Sequence, residues 1–289
     1  MSATLIYTVI TISAIGAASA VILYFVARKF FVFEDPRIEE VENELPSANC
    51  GGCGFAGCHA FAEAIVTSGN LEGKYCPVGG SNVMAKVAGV MKLEALEQTP
   101  RVAVLRCNGT CEFRPKTTNY EGAKTCAIAA MNFSGETGCQ FGCLGFADCV
   151  NVCQFDALHM NPSTGLPEVD DDKCTACGAC VKACPKFLFE LRKKAPKNRK
   201  IYVACRNTEK GAVAKKSCEV ACIGCGKCEK ECAYEAITIE NNLAFIDSDK
   251  CKLCRKCVAV CPTNSIIETN FPPRKEKITE NASTEKVDA

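Results

Sequence analysis

Apolar and polar positions follow three different patterns along this chain. From Thr4 to Val26 there is no alternation at all: 23 residues pass without a charged side chain. As a helix this run spans about 34 Å, enough to cross the hydrocarbon core of a bilayer. A secretory signal is the competing reading. It needs a basic start and a shorter apolar core, whereas Met1-Ser2-Ala3 is uncharged and Ala18-Ser19-Ala20, which looks like a cleavage box, lies inside the run. Arg28 and Lys29 follow directly, so the positive-inside rule puts the N-terminus outside and the bulk of the chain on the cytoplasmic side of the cell membrane. With no Asp, Glu, Lys, Arg or His inside it, the segment reads as an anchor and not as an ion conduit.

A helical period follows at Ala60 to Val66, with Phe61, Ala64 and Ile65 on one face. A period of two marks short strands further on. Asp156-Ala-Leu-His-Met160 and Glu235-Ala-Ile-Thr-Ile239 lead into hairpins turned at Asn161–Gly165 and Glu240–Asn242. Two more short strands, Arg101-Val-Ala-Val-Leu-Arg-Cys107 and Lys200-Ile-Tyr-Val-Ala-Cys205, resemble one another and each ends in cysteine, so the chain carries an internal repeat. Leu191 to Lys200 holds six basic residues in ten and reads as a solvated linker, or as a surface that steers an acidic electron carrier or touches anionic lipid. The Pro- and charge-rich stretch 271–289 reads as a disordered tail.

Composition changes this picture in one respect. Cysteine makes up 25 of 289 residues. In a reducing compartment that number disfavours a disulfide scaffold and favours thiolate-bound metal, whose binding free energy also helps hold a thin core together. The balance of 34 Lys+Arg against 33 Asp+Glu excludes a strongly basic nucleic-acid binder, and two histidines leave little room for His-rich metal chemistry.

The cysteines fall into groups. Cys50, Cys53 and Cys58 are interleaved with glycines, and Cys76-Pro77 follows. Glycine lets the backbone curl around a cluster with its amides facing inward. The set reads as a [4Fe–4S] site; a structural zinc site with four thiolates is the alternative. Next come Cys139, Cys143, Cys149 and Cys153, then Cys174-x2-Cys177-x2-Cys180-x3-Cys184-Pro185. A third group pairs Cys222-x2-Cys225-x2-Cys228-x3-Cys232 with Cys251-x2-Cys254-x2-Cys257-x3-Cys261-Pro262. Three of these four runs match the run of two-cluster bacterial ferredoxins, in which the fourth cysteine serves the other cluster.

Crossed ligation on that pattern predicts four sets: Cys222, Cys225, Cys228 and Cys261; Cys232, Cys251, Cys254 and Cys257; Cys174, Cys177, Cys180 and Cys153; and Cys139, Cys143, Cys149 and Cys184. The last departs from the pattern. Aligning Cys143–Cys153 on Cys222–Cys232 puts Phe146 where Cys225 stands, so Cys139 is expected to supply the missing ligand; its counterpart in the repeat is Cys218. A three-ligand site is the alternative. With the first domain this makes five [4Fe–4S] clusters. Cys107, Cys111, Cys126, Cys205 and Cys218 remain, either as buried reduced thiols or with Cys107, Cys126 and Cys205 drawn into a sixth cluster. Five clusters at about −2 each would take the formal charge of +1 to roughly −9.

The other polar features point nowhere sharper. His59 stands beside a cluster cysteine and reads as a surface residue or as a hydrogen-bond donor to sulfur. Asp170-Asp171-Asp172 reads as a turn ahead of Cys174. There is no dinucleotide fingerprint and no P-loop, and no residue is cast as acid, base or nucleophile.

The order of parts resembles the B subunits of the Rnf ion-translocating ferredoxin:NAD+ oxidoreductases, in their longer clostridial form, over residues 1 to about 270. The fold class is α+β. A transmembrane anchor occupies 1–30, a four-cysteine [4Fe–4S] domain 33–92 and a linking α/β segment 99–136. Two tandem ferredoxin-like modules follow at 137–192 and 193–270, and a tail at 271–289. The resemblance implies a subunit that takes electrons from soluble reduced ferredoxin. It implies partner subunits that carry the NAD- and flavin-binding sites and the ion path, with no nucleic acid involved. Another anaerobic redox complex, such as a hydrogenase, and a membrane-tethered Fe–S sensor or assembly module are the alternatives.

Overall fold

The computed structural model describes residues 3–30, 34–94, 98–132 and 135–273. Helix α1 (Ala3–Lys29) takes in the whole uncharged run, and none of its membrane-length window is buried against protein. Its apolar side chains, Ile10, Ile15 and Phe25 among them, are exposed on all sides. A bare helix of this length and composition is a candidate membrane span.

Three helices form the next unit. Helix α2 (Pro36–Glu44) starts on Asp35, whose carboxylate accepts from the Arg37 N–H at 3.0 Å, and on Pro36 in the first turn. It buries Ile38 and Val41. Helix α3 (Cys58–Ser68) begins two residues earlier than its apolar period suggests, because the Asn49 Oδ1 accepts from the Cys58 N–H at 2.8 Å. Gly69, at φ 64°, ends it. Its buried face is Phe61, Ala62, Ile65 and Val66; Ala64, expected there, is only half-buried. Helix α4 (Gly80–Met91) adds Met84, Val87 and Ala88 to the same core.

The rest of the described chain repeats one order of short helices and strands. In the first copy, β1 (Arg101–Leu105) is followed by α5 (Cys126–Asn132), α6 (Asp148–Asn151), the hairpin β2 (Leu158–Asn161) and β3 (Leu166–Val169), α7 (Ala179–Ala183) and β4 (Phe189–Lys193). In the second, β5 (Lys200–Val203) is followed by α8 (Gly211–Ser217), α9 (Lys227–Lys230), the hairpin β6 (Ile237–Glu240) and β7 (Leu243–Ile246), α10 (Lys256–Ala259) and β8 (Ile266–Thr269). Strand β1 pairs antiparallel with β4, from Arg101 opposite Lys193 to Leu105 opposite Phe189. Strand β5 pairs in the same way with β8. Residues 99–136, set apart as a linking segment by sequence, therefore hold the outer strand of the first module. Two-residue and four-residue turns close the hairpins: Asn241 and Asn242 both have positive φ, and the Asn161 side chain accepts from the Ser163 N–H at 2.8 Å.

Two sequence expectations change. The basic stretch is not a solvated linker. Arg192 and Lys200 are buried, Lys200 pairs with Asp171, and the Lys194 ammonium donates to the Asp171 carbonyl at 2.7 Å. The Asp170 carboxylate accepts from the Asp172 and Lys173 N–H groups, so Asp170–Asp172 is the turn ahead of Cys174 and also the partner of the basic stretch. The tail is held at its start: Arg199 and Arg255 stack on the Phe271 ring, 5.5 and 5.0 Å from its centroid. Residues 274–289 lie outside the described residues.

Candidate iron–sulfur sites

All 25 cysteines are free thiols, and most of them are buried or half-buried. In the three-helix unit, glycine-rich turns carry Cys50 and Cys53, the start of α3 carries Cys58, and Cys76 sits against α4. The Gly79 N–H donates to the Cys76 Sγ at 3.3 Å. Burial pushes the Cys76 thiol up, and the charges of Cys53 and Cys58 push it further. His59 turns away from sulfur, its Nδ1 standing 2.6 Å from a Glu42 carboxylate oxygen.

Cysteines from both runs of each module lie near one another. Cys180 is raised to about 12 by burial and then by the charges of Cys174, Cys177, Cys149 and Cys153. Cys257 is raised to about 12 by burial, then by Cys251, Cys254, Cys228 and Cys232. Cys228 is raised to about 11 by burial, with Cys222, Cys261 and Cys225 in reach. Cys222, Cys225, Cys228 and Cys261 line one small cavity. The short helices inside the runs (α6, α7, α9 and α10) carry the third cysteine of each, and the fourth follows their last turn.

The irregular set differs from expectation. Its cavity is lined by Cys126, Cys143, Cys149 and Cys184, and Cys139 is not among them. Burial pushes the Cys126 thiol up, and the backbone N–H groups of Asp148 and Phe146 act against that rise, so Cys126 stands beside the stretch in which the repeat lacks a cysteine. The Ala127 N–H donates to the Asp148 carboxylate at 3.1 Å, which seats the start of α5 there. Cys149 is raised to about 12 by burial, then by Cys126 and Cys184. Cys139 stands elsewhere, 3.8 Å from the Asn207 side-chain amide. Sequence spacing missed Cys126 because it lies in a stretch with no counterpart: 31 residues separate Cys107 from Cys139, against 12 between Cys205 and Cys218.

The donors suit an iron–sulfur cluster. Burial makes an unbound thiolate costly at these positions, and coordination to a cation removes that cost. Backbone N–H groups face the sulfurs at repeat-equivalent places, from Ala157 to Cys153 at 3.4 Å and from Leu188 to Cys184 at 3.5 Å. At Cys261 the Ser265 hydroxyl, 3.3 Å away, and amides of residues 263, 265 and 266 outweigh burial and hold the thiol below its usual value. Among the described residues no three His, Cys, Asp or Glu side chains converge closely enough to hold a single ion.

Residues 45–78 match the FeS family model, which describes an Fe–S cluster, and residues 137–188 and 221–265 match the 4Fe-4S dicluster domain. The B subunit of the Na+-translocating ferredoxin:NAD+ oxidoreductase complex of Acetobacterium woodii is 44 % identical over 244 residues, 84 % of this chain and 72 % of that protein. The B subunit of the ion-translocating oxidoreductase complex of Methanosarcina acetivorans is 41 % identical over 92 % of this chain and 99 % of its own length. Its counterpart in the proton-translocating ferredoxin:NAD+ oxidoreductase complex of Clostridium ljungdahlii is also 41 % identical, over 91 % and 92 %. With an apolar N-terminal helix, an Fe–S domain and two dicluster domains, and with this identity over most of its length, the chain belongs to the family of B subunits of ion-translocating oxidoreductase complexes, the membrane-associated iron–sulfur electron-transfer subunits.

Proposed function

We propose that this chain takes electrons from reduced soluble ferredoxin and relays them inside a membrane complex whose other subunits hold the NAD, flavin and ion-translocating sites. The observation that carries this reading is the series of thiol quartets running from the three-helix unit through both ferredoxin-like modules. Bound [4Fe–4S] clusters supply one-electron chemistry, and the chain supplies spacing, burial and hydrogen bonds to sulfur. Five sets are assigned: Cys50, Cys53, Cys58 and Cys76; Cys153, Cys174, Cys177 and Cys180; Cys126, Cys143, Cys149 and Cys184; Cys222, Cys225, Cys228 and Cys261; Cys232, Cys251, Cys254 and Cys257.

The units are 33–92, 99–193 with its outer strand included, and 200–270. Gly52 packs directly on Cys177, which brings the first set against the second. Among the cysteines of the five sets Cys225 and Cys254 are the exposed ones, so the second module presents the most accessible ligand residues to a soluble donor. Arg28 and Lys29 at the end of α1 favour a single pass with the cluster domains in the cytoplasm.

Anaerobic iron and sulfide quantitation with an EPR redox titration tests the reading. At least about 20 iron per chain, reducible by ferredoxin, supports it. Stoichiometric zinc, or clusters that ferredoxin does not reduce, would overturn it.

A further inference from the structure

The five sets leave Cys107, Cys111, Cys139, Cys205 and Cys218. Cys111 is exposed. The other four are buried, between 7 and 9 % exposed. They are repeat equivalents, two by two. Cys107 follows β1 and Cys205 follows β5; Cys139 and Cys218 each stand four residues ahead of a module's first cysteine, Cys143 and Cys222. The two copies meet at this place. The Asn108 N–H donates to the Ala204 carbonyl at 3.0 Å, and Val104, Tyr202 and Ala204 form a small apolar cluster across the seam. The ends of β1 and β5 are thereby laid side by side.

The four thiols share one neighbourhood. The Asn108 contact sets Cys107 beside Cys205, Asn207 touches Cys205 and Cys139, and Gly109, two residues after Cys107, lies against the Cys218 Sγ. Asn207, fully buried, joins two of them: its backbone N–H donates to the Cys205 Sγ at 3.4 Å, and its side-chain Nδ2 lies 3.8 Å from the Cys139 Sγ. Glu209 fixes that amide, its N–H donating to the Asn207 Oδ1 at 2.7 Å.

Two buried polar atoms beside these thiols have no partner: the Arg114 Nε and the Thr110 hydroxyl. Glycines make the room in which Arg114 lies. A Cβ at Gly142 would collide with its Nη1. A Cβ at Gly109 would meet the Cys218 Sγ at 3.2 Å and the Arg114 Nε at 3.4 Å. A buried N–H left unpaired on a cation is costly, and an anion among the four thiols would satisfy it.

We propose that Cys107, Cys139, Cys205 and Cys218 hold a sixth [4Fe–4S] cluster at the seam between the two ferredoxin-like modules, with Asn207 and Arg114 as its polar surround. The assignment rests on the cluster reading of the other sets. It also gives the seam a role. Cys107 lies in reach of Cys143, and Cys205 in reach of Cys222, so the site stands between the inner quartet of one module and that of the other. Cys126, grouped with Cys107 and Cys205 by sequence, belongs to the first module, and Cys111 alone stays outside every set.

The full chain produced anaerobically is expected to carry about 24 iron and as much sulfide, against about 20 if the four are plain thiols. Cys205→Ser and Cys218→Ser should each lose about four iron, and Cys111→Ser none. A wild type with about 20 iron and no loss in the serine variants overturns the sixth site and leaves the five sets standing; a wild type without iron overturns the whole reading. Should the serine variants not accumulate, Asn207→Asp carries the test. It should keep the full iron count and lower the midpoint potential of one cluster in an EPR titration, and no shift in any potential overturns the assignment.

Discussion

Arg192, on the last strand of the first ferredoxin-like module, donates through Nη2 to the backbone carbonyl of Ile246 in the second. Its Nη1 lies 3.0 Å from one oxygen of Glu190, while the Arg106 Nη1 lies 3.3 Å from the other. Both guanidiniums approach the Phe245 ring, at 5.8 and 5.3 Å, and the Arg106 Nε donates to the Val203 carbonyl at 3.3 Å. One carboxylate thus balances two buried cations whose other contacts reach across the seam. Such a network fixes orientation more than it adds stability, but removing its centre leaves both charges unpaired. Glu190→Ala should cost about 3–5 kcal/mol in denaturant unfolding, with Glu190→Gln milder; a loss below about 1 kcal/mol would show that solvent, not Glu190, neutralises the pair.

Cys126→Ser separates the two placements for the irregular set. The variant should lose between about one and four iron, with a three-iron EPR signal in the oxidised state when only one is lost. An unchanged iron count and spectrum would return Cys139 to that set.

Gly52 has no room for a side chain. A Cβ there would stand 2.9 Å from the Cys177 carbonyl oxygen and 3.0 Å from its Cα, and backbone cannot swing aside. Gly52→Ala should cost about 1–3 kcal/mol and slow electron exchange between the Cys50–Cys76 set and the first module in stopped-flow measurements. Equal rates in both proteins would mean that the two sets do not exchange electrons at this contact.

Asp35 ties stability to pH. Its hydrogen bonds from Arg37 hold the carboxyl at about 2, below its ordinary value. A carboxyl depressed on folding contributes stability above its unfolded pKa and loses it as pH falls through the folded one. The melting temperature of wild type minus that of Asp35→Asn should therefore be positive at pH 5 and shrink between pH 4 and pH 2. High salt should weaken the difference, since the pair is at the surface. A difference independent of pH would assign Asp35 to capping alone.

Deleting residues 1–30 should move the protein from the membrane fraction to the soluble fraction without changing its iron content. Retention on membranes would place the attachment in the cluster domains instead.

Much of this molecule is written in local spacing. The uncharged run from Thr4, the glycine-laced Cys50–Cys58 loop and the x2-x2-x3 runs each concern residues within a turn or two of one another, so their geometry follows from a short stretch of backbone. Crossed pairing of Cys153 with Cys180, or of Cys261 with Cys228, is also legible, because the duplicated hairpin fixes the distance between a module's two runs. Where a position has no local partner the chain is silent. Phe146 announces a missing thiol but not its replacement.

Cysteine number, repeat and apolar N-terminal run were therefore decided by sequence alone, and they suffice for the family and for proposing most of the sets. Tertiary structure decided the rest. It brought Cys126 to the first module on an inserted helix and laid the ends of β1 and β5 together so that Cys107, Cys139, Cys205 and Cys218 share one buried place. It also turned the basic stretch onto Asp171. The physical reason is common to all three: each depends on contacts across dozens of residues, set by which strand edges and charges must leave water together, and no spacing rule reaches that far.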